Sequence, residues 1–266
     1  MNKTVLLVVQ PNEDYIKNVA QKAVRKGLVG SFLSIDADVD AFAAAMKVLD
    51  KNNLIIAKGM CETADIMRLI LKYNDKELIF GGSDGFLSHC AILRRRGNLF
   101  RREKRLVLTD AALNIVPDAE AKVKIAKNAI NFTRAAHALK RPVLSILTAA
   151  GKLNPAIRSS TDGEFVMDML TQHEDAEIRF DALDTAVSAT ARRIKKMSGP
   201  PADILLASDI DSGNAIWKMH TMRGRYDAAG LICGCTVPIV VNSRSDTARS
   251  KLFSIRVAKK LSESQK

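Results

Sequence analysis

The amino-acid sequence predicts an α/β protein with a mostly parallel sheet, and three observations lead to this fold class. Short apolar runs, most of them with β-branched residues, recur along all 266 residues. Longer amphipathic stretches lie between them, separated by turn or cap residues. Apolar residues make up 47% of the chain, enough for a core in one large domain or two smaller ones. Such alternation is typical of βαβ units, whose helices cover both faces of a sheet.

The apolar runs are predicted to be buried strands, and the stretches between them to be helices. The strands are Val5–Val9, Ser31–Ile35, Leu54–Ala57, Arg105–Leu108, Pro142–Leu147, Ala176–Phe180, Ala202–Ala207, Gly230–Cys233 and Pro238–Val241. The helices open at Asn12 and end at Gly27, span Val39 to Leu49, follow Thr63, and run from Ala119 to about Leu139.

The chain is strongly basic, with 41 Lys and Arg against 29 Asp and Glu and a net charge of +12, which favours a polyanionic partner. The basic segment, Arg94–Arg105, has seven basic residues and one acidic residue, so it holds half of that charge. It lies between the apolar runs His89–Leu93 and Leu106–Leu108 with Gly97-Asn98 at its centre, which predicts a hairpin-like ribbon. It is interpreted as a solvated loop, as a contact to an anionic cofactor or a neighbouring subunit, or as a nucleic-acid site. The last is least favoured because Phe100 is its only aromatic residue.

Several classes of protein are not indicated. No apolar stretch approaches the roughly 20 residues that span a membrane, and the first apolar run is too short for a secretory signal. Four cysteines, Cys61, Cys90, Cys233 and Cys235, do not make a disulfide framework and indicate a reducing environment. We therefore expect a soluble, cytoplasmic protein.

Standard cofactor motifs are missing as well. No G-x-G-x-x-G follows a strand, and there is no G-x-x-x-x-G-K-[ST]. Cys233-Gly234-Cys235 would need two more ligands to hold a metal, and His137, His173 and His220 lack the spacing of metal ligands. Two small buried cysteines are the simpler interpretation, so no metal or prosthetic group is predicted.

Ligands of open α/β sheets bind beyond the carboxyl ends of the strands. The residues that directly follow several predicted strands are polar and suited to binding phosphate. They are Lys58-Gly59, Asp110 and Asn114, Asp209 to Asn214, and Ser243-Arg244. We expect the chemistry of the protein at these positions.

The C-terminal third carries further motifs in one linear order. They are Ala202-Asp203-Ile204-Leu205-Leu206, Gly213-Asn214 with Lys218, Pro238-Ile239-Val240, Ser243-Arg244-Ser245-Asp246, and Lys251-Leu252 with Ser254-Ile255. The series resembles the phosphate acetyl/butyryltransferase family, most closely its phosphate butyryltransferase branch. Earlier segments agree in the same order: Ala57-Lys58-Gly59 with Thr63-Ala64-Asp65, Leu87-Ser88-His89, Thr109 to Asn114 with Pro117-Asp118, and Ser160-Thr161. The likeness covers nearly the whole chain, and the shared order is stronger evidence than any single motif.

One segment departs from the butyryl branch. That branch has G-P-L-A-L-D-N-A-V-S before its A-D-I-L strand, whereas this chain has Arg179-Phe180 in place of the Gly-Pro. The change would reshape the acyl pocket, or mark a paralogue that has lost activity. The acetyl branch has a carboxylate six residues beyond the arginine of S-R; that position is Ser250 here, and the nearest acid is Asp246, as in the butyryl branch.

The resemblance implies a phosphate acyltransferase, which reversibly transfers a short acyl group, butyryl or similar, between coenzyme A and orthophosphate to give an acyl phosphate. Phosphate acetyltransferase is the runner-up activity. The implied fold has two α/β/α domains with an interdomain cleft, similar to isocitrate and isopropylmalate dehydrogenases. Residues 1–94 and 234–266 would form the first domain and residues 95–233 the second, through which a homodimer or larger homo-oligomer would assemble.

The resemblance and the residue chemistry together suggest roles. Arg244 is predicted to bind phosphate with its planar guanidinium, with a surface salt bridge as the less favoured alternative, and Ser243 to donate to the phosphate or the acyl oxygen. Asp246 would accept the thiol proton of coenzyme A, or cap the last helix. Contacts to phosphate or coenzyme A are expected from Lys58, Thr63, Ser88, His89, Asp110, Asn114 and Asn214, with His89 a donor, a base or a structural histidine.

Two non-catalytic alternatives remain open. A degenerate family member would bind coenzyme A or an acyl phosphate without turnover, which Arg179-Phe180 motivates. A basic α/β protein would instead bind nucleic acid through the basic segment.

Overall fold

The apolar runs form strands and the amphipathic stretches form helices in the computed structural model of the chain, which describes residues 4–10, 14–73, 85–95, 105–223 and 226–264. The strands are β1 (Val5–Val9), β2 (Ser31–Ile35), β3 (Leu54–Lys58), β4 (Ser88–Arg95), β5 (Arg105–Thr109), β6 (Val143–Leu147), β7 (Glu177–Asp181), β8 (Ile204–Leu206), β9 (Tyr226–Cys233) and β10 (Ile239–Val240). The helices are α1 (Asp14–Arg25), α2 (Val39–Val48), α3 (Thr63–Tyr73), α4 (Ala119–His137), α5 (Arg158–His173), α6 (Leu183–Val187), α7 (Ala189–Ile194), α8 (Ile210–Met222) and α9 (Ala248–Ser264).

The chain divides into a first unit, Met1–Leu87 with Asp227–Lys266, and a second unit, Ser88–Tyr226. These boundaries, after residues 87 and 226, differ from the predicted 94 and 233. β4 pairs with β5 and therefore belongs to the second unit from its first residue. β9 pairs with β10, which places nearly all of it in the first unit.

The first unit contains strands in the order β2-β1-β3-β10-β9. Neighbouring strands are parallel except β9, which runs antiparallel to β10. β3 is buried along its whole length, as expected for a parallel strand covered on both faces. The register sets Val9 beside Lys58 and Ala57 beside Val240, so the carboxyl ends of β1, β3 and β10 meet at one edge.

The second unit has the strand order β4-β5-β8-β6-β7, parallel except for the antiparallel pair β4 and β5. The long helix α4 begins after Asp118, whose carboxylate accepts the N–H of Ala121 at 2.8 Å. A capping box starts α8: Asp209 accepts the N–H of Ser212 at 2.8 Å, and Ser212 Oγ accepts the N–H of Asp209 at 3.3 Å.

The observed elements depart from the predicted ones in a few places. β9 begins four residues before the predicted Gly230. The prediction began too late because the charged Asp227 interrupts the apolar pattern; in the structure this carboxylate is buried and pairs with Arg249 at 2.8 Å. The antiparallel pairing of β4 and β5 agrees with the predicted ribbon, but residues 96–104 of the basic segment, with Gly97-Asn98, lie outside the described residues. Asn12 lies outside them too. None of the described helices has the length and apolarity that a membrane crossing requires.

Candidate functional site

The loop after β10 presents the Ser243-Arg244 motif at the carboxyl edge of the first unit's sheet. The Arg244 side chain is 50% exposed and forms an ion pair with Glu62, which lies just before α3. Ser243 Oγ lies 3.0 Å from Ser245 Oγ. A guanidinium and two hydroxyls on consecutive residues are a set of donors that suits phosphate oxygens.

Asp246 holds this loop in place. Its side chain is buried, and its Oδ2 accepts hydrogen bonds from the Ser243 N–H at 2.9 Å and from Asn242 Nδ2 at 3.0 Å. Because the Ser243 N–H is already used in this way, it does not point at a ligand. The carboxylate therefore organises the backbone that precedes Arg244.

The predicted alternative that Asp246 caps the last helix is wrong. Thr247 stands directly before α9, and its Oγ1 accepts the N–H of Ser250 at 3.3 Å. The backbone carbonyl of Asp246 instead accepts a hydrogen bond from the Tyr15 hydroxyl of α1 at 3.0 Å. Burial raises the pKa of Tyr15, and the Asp246 carboxylate adds to this effect.

Lys58 ends β3 with its side chain turned into the unit. It is buried, and its Nζ donates to the carbonyl of Cys61 at 2.8 Å. Burial lowers the pKa of Lys58, and the Cys61 thiol partly offsets this shift. Gly59 is required next, because a Cβ there would lie 2.2 Å from the carbonyl oxygen of Gln10. Thr63, also predicted as a contact, opens α3 and is half-buried.

Lys251 is a neighbour of the motif that sequence reasoning missed. It lies on α9, is 6% exposed, and its Nζ donates to the Ser243 carbonyl at 2.7 Å. Burial lowers the pKa of Lys251 from 10.5 to about 8, an effect that the Asp246 carboxylate opposes. A signal was present in the sequence, because Lys251 stands four residues before the buried Ile255 on the apolar face of the helix.

A cavity of about 30 Å³ adjoins this loop inside the first unit. Most of its lining is apolar and comes from β1, α1 and α9; Lys58, Asn242 and Lys251 reach it as polar residues. Asn242 Oδ1 has no hydrogen-bond partner within the part of the chain that the structure describes.

In the second unit, Asp110 follows β5 and organises the turn behind it. Its carboxylate is buried and accepts four hydrogen bonds. The donors are the N–H groups of His89, Ala112 and Leu113, each at 2.9 Å, and Asn114 Nδ2 at 2.7 Å. The predicted residues His89, Asp110 and Asn114 therefore meet in one cluster.

The Gly213-Asn214 pair at the start of α8 packs against the same turn. Asn214 Nδ2 donates to the carbonyl of Ala111 at 3.1 Å. A Cβ on residue 213 would lie 2.2 Å from the carbonyl oxygen of Asp110, so only glycine fits there. The sequence motif thus reflects close helix-to-turn packing.

Ser88 and His89, at the start of β4, are completely buried. Ser88 Oγ accepts a hydrogen bond from Asn128 Nδ2 of α4 at 3.1 Å. The His89 ring stacks on the indole of Trp217, with ring centroids 4.8 Å apart. Both side chains therefore make packing contacts inside the second unit, which favours the structural interpretation of His89.

Arg179 and Phe180, which stand where the butyryl branch has Gly-Pro, lie on β7. Arg179 Nε donates to Glu177 Oε1 at 2.6 Å, and its guanidinium also reaches the carbonyl of Pro200. Phe180 lies against Gly163 of α5, where a Cβ would come within 2.5 Å of its ring. Both bulky residues that stand in place of Gly-Pro thus have contacts within the second unit.

No group of His, Cys, Asp and Glu residues that could hold a metal ion occurs among the described residues. His220 Nδ1 contacts the carbonyl of Ile216 at 2.8 Å, within its own helix. Cys233 is buried and Cys235 half-buried, and burial raises the pKa of the Cys235 thiol.

Comparison with known proteins identifies the family of the chain. Residues 6–258 match the family model described as "Phosphate acetyl/butaryl transferase". The chain belongs to this family, as its motifs predicted.

Individual relatives carry both activities in their names. The chain is 37% identical to the phosphate acetyltransferase of Rhizobium meliloti over 159 residues, which is 58% of this chain and 50% of that protein. It is 31% identical to the probable phosphate butyryltransferase of Bacillus subtilis over 223 residues, 81% of this chain and 71% of that protein. The match to the first thus spans half of its length.

Solved structures agree with the fold. A branched-chain phosphotransacylase from Enterococcus faecalis has a TM-score of 0.80 and 26% identity, covering 97% of this chain and 99% of that one. A putative 4-hydroxythreonine-4-phosphate dehydrogenase from Salmonella typhimurium, at 11% identity and a TM-score of 0.53, covers 98% of this chain and 100% of that one, and shares the fold alone. The predicted α/β fold class is confirmed.

Proposed function

We propose that the protein is a phosphate acyltransferase that transfers a short acyl group, butyryl or similar, between coenzyme A and orthophosphate. The observation that carries the proposal is the Ser243-Arg244 loop at a strand end in a chain of this family. In one direction a phosphate oxygen attacks the thioester carbonyl, the carbon–sulfur bond breaks and the thiolate leaves. In the other direction the thiol attacks the acyl phosphate and phosphate leaves.

Arg244 is the residue that we assign to phosphate. Its ion pair with Glu62 is exposed on both sides, at 50% and 64%. Exposed ion pairs contribute little to stability, so a phosphate dianion can replace the Glu62 carboxylate easily. The planar guanidinium then binds two phosphate oxygens at once. Fixing two reactants in line is worth up to about 7–11 kcal/mol of the barrier, so a positioning site is sufficient for this reaction.

Ser243 and Asp246 complete the proposed catalytic loop. The Ser243 hydroxyl donates to phosphate or to the oxyanion that forms on the thioester carbonyl. Asp246 already accepts two hydrogen bonds through Oδ2, which supports a role in holding the loop over a role as base. A thiol with a pKa of about 8.5 needs little help from a base.

The residues expected to contact phosphate or coenzyme A fall into two groups. Lys58, Ser88, His89 and Asp110 are buried, so we propose that they shape the loops of the site. Thr63, Asn114 and Asn214 are half-buried and remain candidates for direct contact. The net charge of +12 suits the polyanionic coenzyme.

The butyryl preference rests on the S-R-x-D pattern, in which Asp246 is the nearest acid, and on the butyryltransferase among the relatives. Arg179 and Phe180 make contacts within the second unit, and the turnover assay below tests whether the protein is an inactive paralogue. A cytoplasmic homodimer or larger homo-oligomer is part of the same proposal and follows from the family resemblance.

The experiment follows the thiol released from butyryl-CoA, propionyl-CoA and acetyl-CoA with a thiol reagent, with and without orthophosphate. We expect phosphate-dependent release, fastest with butyryl-CoA. Fastest release from acetyl-CoA would support a phosphate acetyltransferase instead. Absence of release from folded protein that still binds coenzyme A would support the binding-only alternative. Salt-sensitive retention on nucleic acid would support the nucleic-acid-binding alternative.

Two variants test the assignment of Arg244. Arg244→Ala is expected to lose turnover while the far-ultraviolet circular dichroism stays unchanged. Arg68→Ala removes another exposed arginine of the first unit, which pairs with Asp65 at 2.7 Å, and should remain active. Equal activity of the two variants would remove Arg244 from the mechanism.

A further inference from the structure

Ionisable side chains bind the backbone of Ser243 at both its N–H and its carbonyl. Its N–H donates to Asp246 Oδ2 at 2.9 Å, and its carbonyl accepts from Lys251 Nζ at 2.7 Å. The same carbonyl also accepts the backbone N–H of Asp246 at 3.1 Å. Arg244 is the next residue, so the direction in which its side chain leaves the backbone depends on how the Ser243 carbonyl is fixed.

A second lysine holds the neighbouring loop in the same manner. Lys58 Nζ donates to the carbonyl of Cys61 at 2.8 Å, in the turn that follows β3. The two loops meet in the ion pair between Arg244 and Glu62. Each lysine thus binds the backbone carbonyl of the residue that precedes one partner of this ion pair: Lys251 before Arg244, and Lys58 before Glu62.

Burial of these ammonium groups calls for an explanation. Lys251 is 6% exposed and Lys58 8% exposed, and both reach the same largely apolar cavity of about 30 Å³. Lysine is almost never buried to this degree unless it has a specific partner. The apolar face of α9 is already formed by residues such as Leu252 and Ile255, so packing alone does not require a lysine at position 251.

We propose that Lys251 is a positioning residue that fixes the Ser243 carbonyl and so aims the Arg244 guanidinium at phosphate. Its kinetic consequence rests on the function proposed above, whereas its effect on the loop does not. Lys251 does not touch the substrate; it acts through the backbone of the residue before Arg244.

The contact is expected to weaken as the ammonium loses its proton. The charged groups that face Lys251 are Asp246, just ahead of α9, and Lys58, at the end of β3. Tyr15 of α1 contacts the backbone of Asp246. With the pKa of Lys251 at about 8, a neutral amine replaces the ammonium just above that pH and donates a weaker hydrogen bond.

Three variants test the proposal in the direction in which acyl-CoA reacts with orthophosphate, where no free thiol titrates. Orthophosphate loses its second proton near neutral pH, so its KM is expressed as the concentration of the dianion. Lys251→Met removes the ammonium at similar volume, and Lys251→Arg keeps a permanent charge. Lys259→Met is the matched control, since Lys259 lies on the same helix and its Nζ also donates to a backbone carbonyl, that of Gly27, at 3.1 Å.

In the wild type and in Lys259→Met, we expect the KM for phosphate to rise as the pH passes about 8, at nearly constant kcat. In Lys251→Met this KM should be about tenfold higher at neutral pH, and independent of pH above it, because one charge-assisted hydrogen bond is lost. In Lys251→Arg the KM should stay low well beyond pH 9. An unchanged KM, or an alkaline rise that persists in Lys251→Met, would overturn the proposal.

Hydrogen exchange measured by mass spectrometry gives a readout that needs no activity. Peptides that cover residues 243–247 should exchange faster in Lys251→Met than in the wild type, while Lys259→Met leaves them unchanged. Unaltered exchange in Lys251→Met would contradict the positioning role even if the protein had no acyltransferase activity. Faster exchange in a protein without phosphate-dependent thiol release would instead refute the proposed function and leave the role of Lys251 in the loop standing.

Discussion

The two units each build a loop around a buried carboxylate at a strand end, but the carboxylates are surrounded differently. Asp110 in the second unit is enclosed by four neutral donors, three of them backbone N–H groups. Asp246 in the first unit accepts two hydrogen bonds and lies near the lysines Lys58 and Lys251. The first arrangement contains no charged donor. The second ties the shape of its loop to the protonation of neighbouring groups.

Removing the carboxylate of Asp110 is expected to have the largest effect. Asp110→Ala leaves four donors without their buried acceptor, which should lower the free energy of unfolding by about 4 kcal/mol or more. Urea unfolding followed by circular dichroism measures this change. The control Asp118→Ala removes only the cap of α4 and should cost about 1 kcal/mol. Equal losses in both variants would show that the Asp110 cluster is not the stronger element.

The lysine beside Asp246 should make stability depend on pH in a defined direction. Because the pKa of Lys251 is lower in the folded chain than its usual 10.5, the unfolded state binds more protons between about pH 8 and 10.5, and stability rises with pH there. The rise from about pH 7.5 to about pH 9.5 should be about 2 kcal/mol smaller in Lys251→Met than in the wild type. Urea unfolding at both pH values measures it, and parallel curves would disprove the burial of the ammonium.

Asp246→Asn changes the charge of the loop while it keeps its shape. We expect kcat/KM for phosphate to fall about tenfold, since one charge-assisted contact to the Ser243 N–H weakens. The carboxylate also raises the pKa of Lys251, so its loss should move the alkaline rise in KM below about pH 8. Initial rates across this pH range test both points. A shift toward higher pH would reverse the proposed coupling.

Tyr15→Phe is expected to have the smallest effect. It deletes one hydrogen bond, from the hydroxyl to the Asp246 carbonyl at 3.0 Å, in a half-buried position. Stability should fall by about 1 kcal/mol or less, with little change in the KM for phosphate. Thermal unfolding and steady-state rates measure the two quantities, and a loss of activity as large as that of Arg244→Ala would give Tyr15 a direct role.

The sequence was informative about strands and about motifs, and less so about what each motif residue does. Apolar runs predicted β1 and β2 to the residue, whereas the charge of Asp227 concealed half of β9. Motif order led to the family, but it did not separate residues with an exposed side chain, such as Arg244, from buried residues that hold backbone, such as Asp110. That distinction depends on burial and on hydrogen-bond partners distant in sequence.

The role of Lys251 was likewise not evident from the sequence. It stood inside a matched motif, but a lysine on a helix is ordinarily assumed to be solvated. Its contact to Ser243 spans eight residues and depends on how α9 lies against the loop. A charged residue at a core position of an amphipathic helix was the available clue.

The contact between Phe180 and Gly163 makes these two positions interdependent. Any side chain at position 163 would collide with the ring, so substitution there is tolerated only after residue 180 has become smaller. A variant with the Gly-Pro of the butyryl branch therefore needs a larger residue at position 163 as well, since either change alone leaves the pair poorly packed.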